Sequence, residues 1–518
     1  MKKTWLIPIL LFLFTWNARA ELKVTPQLVG FHEPCPCSCI RIVVFNPGDQ
    51  KLSYRIELAG GGMTNRINLR GQEIAPGEEK IHNMALPLLK APLITVEDSA
   101  GDRTNTGMSW NPKLFLNLCE LEAWASEKQI KDFSDAYKLV RGNIVTQLEP
   151  VSLPENWLCY TPFRAVFVRE SVFNRMPPSE KRALTSWVEA GGWLTVYHSS
   201  RSDTEKQMMG TIRYQSYNPL ASPRIENDWR SSLEQWQKFY RSNVDRNRFP
   251  YITKTRGGRL GGFLLATLFL ILAGPVNYNY FRKRKKIRML LVSLPVISIA
   301  FCLLIVAYFF ATQGFAKKGG SFSVTLLDEA KNDAFTFSRH SIYSGLYPVG
   351  GFRFSSNTLF YPLQTSSGYS FDLTRDQHLE SGLFNPSTNF HFFTAMPFQT
   401  RERLVYDPGD NTVTNGFETA VKDVFIRDGA RILTAAELLP GEKKKLEQST
   451  EKEIMPAFVD TLEKEEKVYY KSYMIEFATG WISRNQLDYI FRFDGKTSSI
   501  QSGTSIRGRG CHILVGKR

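Results

Sequence analysis

No charged residue occurs between Leu260 and Phe281, and none between Met289 and Ala316. That absence excludes a surface helix, which keeps one charged face toward water. At about 1.5 Å of rise per residue, each run can cross a hydrocarbon core of about 30 Å. The pair therefore reads as a membrane hairpin rather than two helices buried in a soluble domain. The middle of each run also lacks an ionisable group of the kind that ion pathways and proton relays are built on. The hairpin reads as an anchor, not a transporter.

Other absences narrow the chemistry. We find no glycine loop of the nucleotide-binding type and no His/Asp/Glu cluster with metal-ligand spacing, so no cofactor is expected. No stretch carries a complete catalytic constellation. A folded basic domain is missing too, although the net charge is +15. Residues 21–257 are net +4 and residues 319–518 net −1. The rest of the excess brackets the apolar runs and the N-terminus, which is a topology signal and not a nucleic-acid footprint. The composition, 43% hydrophobic and 22% charged, excludes general disorder, and 518 residues suffice for several domains.

What is present begins with a leader. Lys2-Lys3, an apolar stretch from Leu6 to Trp16 and Ala18-Arg19-Ala20 form the three parts of a signal peptide, residues 1–20. No cysteine follows directly, so a lipoprotein anchor is not expected. Between the apolar runs lies Arg282-Lys283-Arg284-Lys285-Lys286-Ile287-Arg288. So basic a short loop stays cytoplasmic. The expected order is a transmembrane helix at 258–281, a cytoplasmic loop at 282–288 and a second helix at 289–316, in a bacterial cytoplasmic membrane with both large regions outside. The lipid bilayer is then one partner. Gly262 and Ala266 form a small-xxx-small pair that suits helix association and so a homodimer.

Residues 21–108 alternate as strands. Ile40, Ile42 and Val44 alternate with Arg41, Val43 and Phe45, and Leu52, Tyr54, Ile56 and Leu58 follow with Asn46-Pro47-Gly48-Asp49 between. That reads as a hairpin, and Ala75-Pro76-Gly77-Glu78 reads as another turn. The region is expected to be an immunoglobulin-like β-sandwich. Residues 109–257 change pattern. Apolar runs at Leu114–Leu118, Phe163–Val168 and Trp193–Tyr197 alternate with helical stretches at Glu127–Leu139 and from Pro177-Pro178-Ser179-Glu180 onward. The second of these buries Ala183, Leu184, Trp187 and Val188 and ends at Gly191-Gly192. This is a βαβ plan with a parallel sheet. Trp229, Leu233, Trp236, Phe239 and Tyr240 recur at near-helical spacing, as a helix lying on lipid headgroups or packed on the α/β domain. Residues 317–518 read as a mainly-β domain. Thr414-Asn415-Gly416, Val421–Ile426 and Leu439-Pro440-Gly441-Glu442 suggest a second sandwich, followed by a charged helix at Lys443–Lys467.

The string Ala165-Val166-Phe167-Val168, then Pro178-Ser179-Glu180 to Leu184, then Trp187-Val188-Glu189-Ala190-Gly191-Gly192-Trp193-Leu194-Thr195-Val196 resembles the core of class I glutamine amidotransferase-like domains. Gly191-Gly192 to His198-Ser199-Ser200 is similar to the trehalose-utilisation branch. With Gly274-Pro275-Val276-Asn277-Tyr278 in the hairpin, the plan looks like a group of bacterial two-helix membrane proteins that carry such a domain. The resemblance implies a flavodoxin-like fold. Active members place a cysteine in a Gly-x-Cys-x-Gly elbow with a later His and Glu. Here Cys119 is followed by Glu120-Leu121 and Cys159 has no elbow, so the resemblance implies a relative without the triad.

In parallel sheets, ligands gather at the carboxyl ends of the strands. The candidates there are Cys119, Arg169, Glu170 and His198. His198, Glu170 and Cys119 are the catalytic candidates, while Arg169 and His198 could bind a ligand. Cys35, Cys37 and Cys39 are disulfide or metal candidates. Cys302 lies in an apolar run, which leaves six exported cysteines, so disulfides, a thiolate metal site and free thiols all stay open. The expected function is a non-enzymatic envelope protein that binds other envelope proteins or cell-wall carbohydrate. The alternative is an envelope hydrolase or carbohydrate-linked enzyme.

Overall fold

A computed structural model describes residues 22–30, 37–60, 65–87, 93–107, 114–117, 144–147, 153–163, 165–197, 202–206, 208–215, 258–313, 318–343, 351–363, 368–383, 389–429, 431–449, 488–494 and 508–517. The chain is β-rich, with several sheets and two apolar helices. It divides into two units. The first draws on residues up to 234 together with 355–357 and 368–380, and the second on the remainder.

The first unit contains a sheet with Cys37–Phe45 at its centre, antiparallel to Lys23–Gly30 on one side and Glu79–Pro87 on the other. A second, seven-stranded sheet includes, as neighbours in this order, Gln377–Gly382, Tyr369–Asp372, Asn65–Ile74, Leu52–Ala59, Leu93–Asp98 and Arg103–Gly107. Tyr54 and His82 meet across the two sheets, oxygen to Nε2 at 2.6 Å. Ile40, Ile42, Val44, Ile56, Leu58, Ile67, Ile94 and Val96 are buried, as alternation on a strand dictates.

The expected hairpin at Asn46–Asp49 is not formed, because Cys37–Phe45 and Leu52–Ala59 lie in different sheets. The cause is Asn46, which is fully buried. Its amide donates to the carbonyls of Gln50 (2.8 Å) and Ala75 (3.2 Å) and accepts from the Gly48 N–H (3.0 Å). Its backbone pairs with Glu78 and Gly77 of the other turn. The two turns thus brace one another where the chain changes sheets. Gly77 takes φ +67°, which favours glycine.

The strand Tyr369–Asp372 lies far along the chain, within the region that the sequence groups as 317–518. It nevertheless adds in parallel to Asn65–Asn68 of the first unit, and Arg70 pairs with Glu380 (3.1 Å) and Asp372 (3.6 Å).

The same unit holds a sheet in the order Asp203–Lys206, Thr211–Gln215, Trp193–Tyr197, Ala165–Arg169, Leu114–Asn117, Ile144–Gln147. Its strands are parallel except the edge strand Asp203–Lys206. Helix Pro178–Glu189 links Ala165–Arg169 to Trp193–Tyr197 and buries Ala183, Leu184, Trp187 and Val188. Gly191 ends it at φ +110°, its N–H on the Val188 carbonyl at 2.8 Å. The stretches 127–139 and 229–240 lie outside the described residues.

In the second unit, one helical rod runs from Gly258 to Lys283, with a π-turn at Leu272–Val276 around Pro275. It continues two residues into the segment read as loop. The return helix spans Leu290–Gln313. The two helices touch at three levels. Gly261 leaves room for Tyr308, Phe269 meets Phe301 edge-on at 5.4 Å, and Asn277 and Ser293 exchange hydrogen bonds of 3.0 and 3.1 Å. Gly262 has no such neighbour. Large apolar side chains such as Phe263, Leu291, Ile299 and Leu303 stay exposed along the rods.

The rest of this unit is a nine-stranded sheet with Lys318–Asp328 and Gly508–Lys517 side by side and parallel near its middle. A small sheet, Leu404–Asp407, Thr412–Asn415 and Lys443–Lys445, accompanies it. Leu404, Val413, Phe417, Val421, Val424, Ile426, Leu438 and Phe491 share one apolar core with Leu327 and Leu514. The helix expected from Lys443 does not begin there. Lys443–Lys445 is an exposed strand paired with Thr412–Thr414, and Glu447–Ser449 is another. Three lysines suit a sheet edge, where charge blocks further pairing.

Asn415 repeats the role of Asn46. Its buried amide donates to Thr419 (2.9 Å) and Leu438 (3.1 Å) and accepts from Phe417 N–H (2.9 Å), while its backbone pairs with Glu442 and Gly441. Glu78 and Glu442 each accept the N–H three residues back, from Ala75 (2.6 Å) and Leu439 (2.7 Å). Strand pairing around the two locks matches as well. Each unit therefore contains one copy of the same sheet-crossing module.

Candidate functional site

The polar groups of the first unit gather on one face of Cys37–Phe45. Its even positions fill the sandwich core, and the odd positions Cys37, Cys39 and Arg41 point the other way, yet all three are buried. They are covered by a 3-10 turn, Trp157–Tyr160, which Asn156 caps by accepting the Leu158 N–H at 3.0 Å. The Cys39 and Cys159 thiols lie within interaction range of one another. Arg41 donates from Nε to Asn83 Oδ1 at 3.1 Å.

Burial, followed by the neighbouring Cys159 thiol, holds the Cys39 thiol well above its usual range, and the charge of Arg41 opposes this only in part. Cys39 is therefore a protonated thiol and no nucleophile. Glu180, in the first turn of Pro178–Glu189, is only 6% exposed. One of its carboxylate oxygens, Oε2, has no hydrogen-bond partner. Burial raises its pKa, Glu155 adds to the shift, and the Leu153 N–H and Arg41 pull it back.

The turn also grips other segments. The Tyr160 hydroxyl donates to the Pro154 carbonyl at 3.1 Å, and its ring lies 6.4 Å from that of Trp187. Trp157 Nε1 donates to Asn357 at 2.6 Å, Asn156 Nδ2 donates to Ser356 at 2.7 Å, and Gln377 binds the carbonyls of Ser355 and Ser356 at 3.2 Å. Residues on both sides of the apolar helices in sequence are thereby fastened into one seam. Apart from Glu180 Oε2, these groups are engaged with one another.

Arg169 closes the strand Ala165–Arg169 opposite Tyr197, and Glu170 opens the short helix Glu170–Arg175. Both are half-buried, at the carboxyl end of a parallel strand. Cys35, Cys119 and His198 lie outside the described residues. No disulfide joins Cys37, Cys39 or Cys159 in the structure. Among the described residues, no group of three or more His, Cys, Asp or Glu is placed to hold a metal ion. Sequence reasoning missed Arg41, Tyr160 and Glu180. The available signal was the crowding of Cys, Ser and Arg on a strand whose alternate positions were already apolar.

The second unit carries a buried polar lane across its large sheet. Ser323 meets Ser338 at 2.8 Å, Thr325 meets Thr336 at 2.5 Å and His512 Nε2 at 2.8 Å, and His340 Nε2 meets Thr394 at 2.9 Å. Burial lowers His340 and His512 to about 3, so both stay neutral. Thr325 and His512 have the pairing of a nucleophile and a base, but Thr325 is fully buried in mid-strand, where no substrate reaches it.

No family model matches the chain, and no curated protein does. Solved structures are similar only loosely. A candidate ApaA protein from Bordetella pertussis has 17% identity and a TM-score of 0.12, over 17% of this chain and 87% of that one. A yeast delta-COP-I mu-homology domain complexed with a Dsl1 peptide has 7% identity and a TM-score of 0.19, over 39% and 96%. An exo-β-N-acetylglucosaminidase from Vibrio harveyi has 7% identity and a TM-score of 0.14, over 38% and 35%. Superpositions this loose carry no argument about activity.

Proposed function

We propose that the chain is a two-pass protein of a bacterial cytoplasmic membrane, with both large regions on the extracytoplasmic side serving as binding or scaffold modules. One observation carries the reading. Strand Asn65–Ile74 precedes the apolar helices and Tyr369–Asp372 follows them, yet the two share a sheet. Hydrogen-bonded strands must stand on the same side of a bilayer, so an even number of crossings lies between them. Two apolar helices supply that number. The basic turn at 282–288 favours the cytoplasm for the tip, and the leader at 1–20 favours export of what precedes it.

The finer fold reading belongs to the same proposal. The crossed sheets of both units suit immunoglobulin-like sandwiches, and the parallel sheet with its crossover helix suits an amidotransferase-like domain without the triad. Complete burial of Cys39 and of Thr325 favours a non-catalytic role, with other envelope proteins or cell-wall carbohydrate as partners. The placement of Arg169 and Glu170 at a parallel strand end is what favours the alternative, an envelope hydrolase or carbohydrate-linked enzyme that also uses His198.

Cysteine substitutions in cells test the topology. With a membrane-impermeant maleimide, Lys443→Cys should label in intact cells and Lys286→Cys only after lysis, each against the parent background. Labelling at 286 in sealed cells, or protection at 443, overturns the reading.

A further inference from the structure

Cys39 and Cys159 are 120 positions apart in sequence, and both are completely buried. The 3-10 turn Trp157–Tyr160 packs on strand Cys37–Phe45 and brings the two thiols within interaction range, with no bond between them in the structure. Cys37 points to the same face, but one strand repeat along. A metal does not account for the pair, since no third ligand completes a set among the described residues. The turn also holds residues 355–357, so whatever fixes it to the strand fixes the seam of the whole unit.

We propose that in the exported protein Cys39 and Cys159 are oxidised to a disulfide that staples the 3-10 turn to the central strand of the three-stranded sheet. The proposal rests on export of this unit, since disulfides persist in oxidising compartments. A protein disulfide oxidant supplies the chemistry while the chain is still open. One cysteine, as its thiolate, attacks the oxidant's S–S bond. This forms a mixed disulfide and releases one oxidant thiolate. The second cysteine then attacks the mixed disulfide at the first cysteine's sulfur, forms the Cys39–Cys159 bond and releases the second oxidant thiolate. The two thiol protons pass to those thiolates, so the pair loses two electrons and the oxidant gains them. Afterwards the bond is sealed from solvent, which suits a permanent staple and not a switch.

The test is peptide mapping of the full-length protein from native membranes, with free thiols alkylated during denaturation. Trypsin releases Cys159 in residues 142–164, its only cysteine, and Cys39 in residues 24–41 with Cys35 and Cys37. The expected result is a covalent link between these peptides that is absent in Cys39→Ser and retained in Cys37→Ser. Alkylation of both Cys39 and Cys159 as free thiols, or a link from Cys159 to any other cysteine, overturns the proposal. The Lys443→Cys labelling separates the two ways of failing. Free thiols with position 443 labelled sink the disulfide alone, and free thiols with position 443 protected sink export and the disulfide with it.

Discussion

Replacing Asn46 or Asn415 should unlock a module in each unit by a similar amount. Each side chain is buried and makes three hydrogen bonds, two donated to carbonyls and one accepted from an N–H. Alanine strands all three backbone partners. At a net worth of about 0.5–1.5 kcal/mol per bond, and more where a buried group is left without water, the loss is about 3 kcal/mol. Aspartate is the sharper probe. It still accepts the Gly48 or Phe417 N–H, but it sets a carboxylate oxygen against two carbonyls where the amide donated. Its folded pKa must then rise above the unfolded value of about 3.9. A raised carboxyl pKa costs stability as pH climbs from the unfolded value through the folded one, so the Asp variants should regain stability on acidification. Hydrogen exchange on the full-length protein in detergent reads each unit separately, through Glu79–Pro87 for Asn46 and Arg431–Leu438 for Asn415. If Asn46→Ala or Asn415→Ala changes protection by less than about 1 kcal/mol, or if the Asp variants match wild type without pH dependence, the lock is not what turns the chain between sheets.

Two further outcomes follow from burial. Desolvation lowers His340 and His512 to about 3, and desolvation with Arg339 nearby lowers His391 to about 4, against about 6.5 when unfolded. Their depressed values mean that stability is intact above about pH 6.5 and lost as pH falls toward the folded values. Each costs on the order of 2 kcal/mol by pH 5. Hydrogen exchange in the second unit should show this, and His512→Gln should flatten the slope; equal protection at pH 7 and pH 5 would contradict it. Separately, a Cβ at Gly210 would sit 2.0 Å from the Val188 carbonyl oxygen, so Gly210→Ala should cost about 1–3 kcal/mol or more in a urea titration followed by the fluorescence of Trp187 and Trp193. An unchanged midpoint would mean that the turn before Thr211 moves freely away from the helix.

The two long apolar helices were legible because a charge-free run of that length is a strong local pattern. The helix face of Ala183, Leu184, Trp187 and Val188 and its glycine stop at Gly191 were legible because periodicity and cap chemistry are local. What failed was partnership. Asn46-Pro47-Gly48-Asp49 has the composition of a hairpin turn, but the sequence does not show that Asn46 reaches residue 75. Lys443–Lys445 reads as a solvated helix by charge, and only its pairing with Thr412–Thr414 makes it a strand. The cysteine cluster was visible as unusual and Cys159 was among the cysteines left open for pairing, but nothing in the sequence placed the turn Trp157–Tyr160 on Cys37–Phe45. The double burial of Cys37–Phe45 was hidden because its odd face is capped by residues more than a hundred positions away.

If the two apolar helices cross a membrane as proposed, the discontinuous first unit ties its folding to their insertion. Until residues 355–380 arrive, the Asn65–Asn68 edge lacks its parallel neighbour, and Trp157 and Asn156 lack the carbonyls of Asn357 and Ser356. An open strand edge beside a buried indole without its acceptor is a site for wrong pairing. The missing piece follows both apolar helices in sequence, so the unit closes only if the second helix brings the chain back to the side where the first strands wait. A hairpin inserted with one crossing instead of two would leave the edge of Asn65–Ile74 and the strand Tyr369–Asp372 on opposite sides, each unable to pair. On the proposed topology, the shared sheet makes correct insertion of the helices a precondition for completing the fold, and this would bind an anchor to the module it carries more tightly than a flexible linker does.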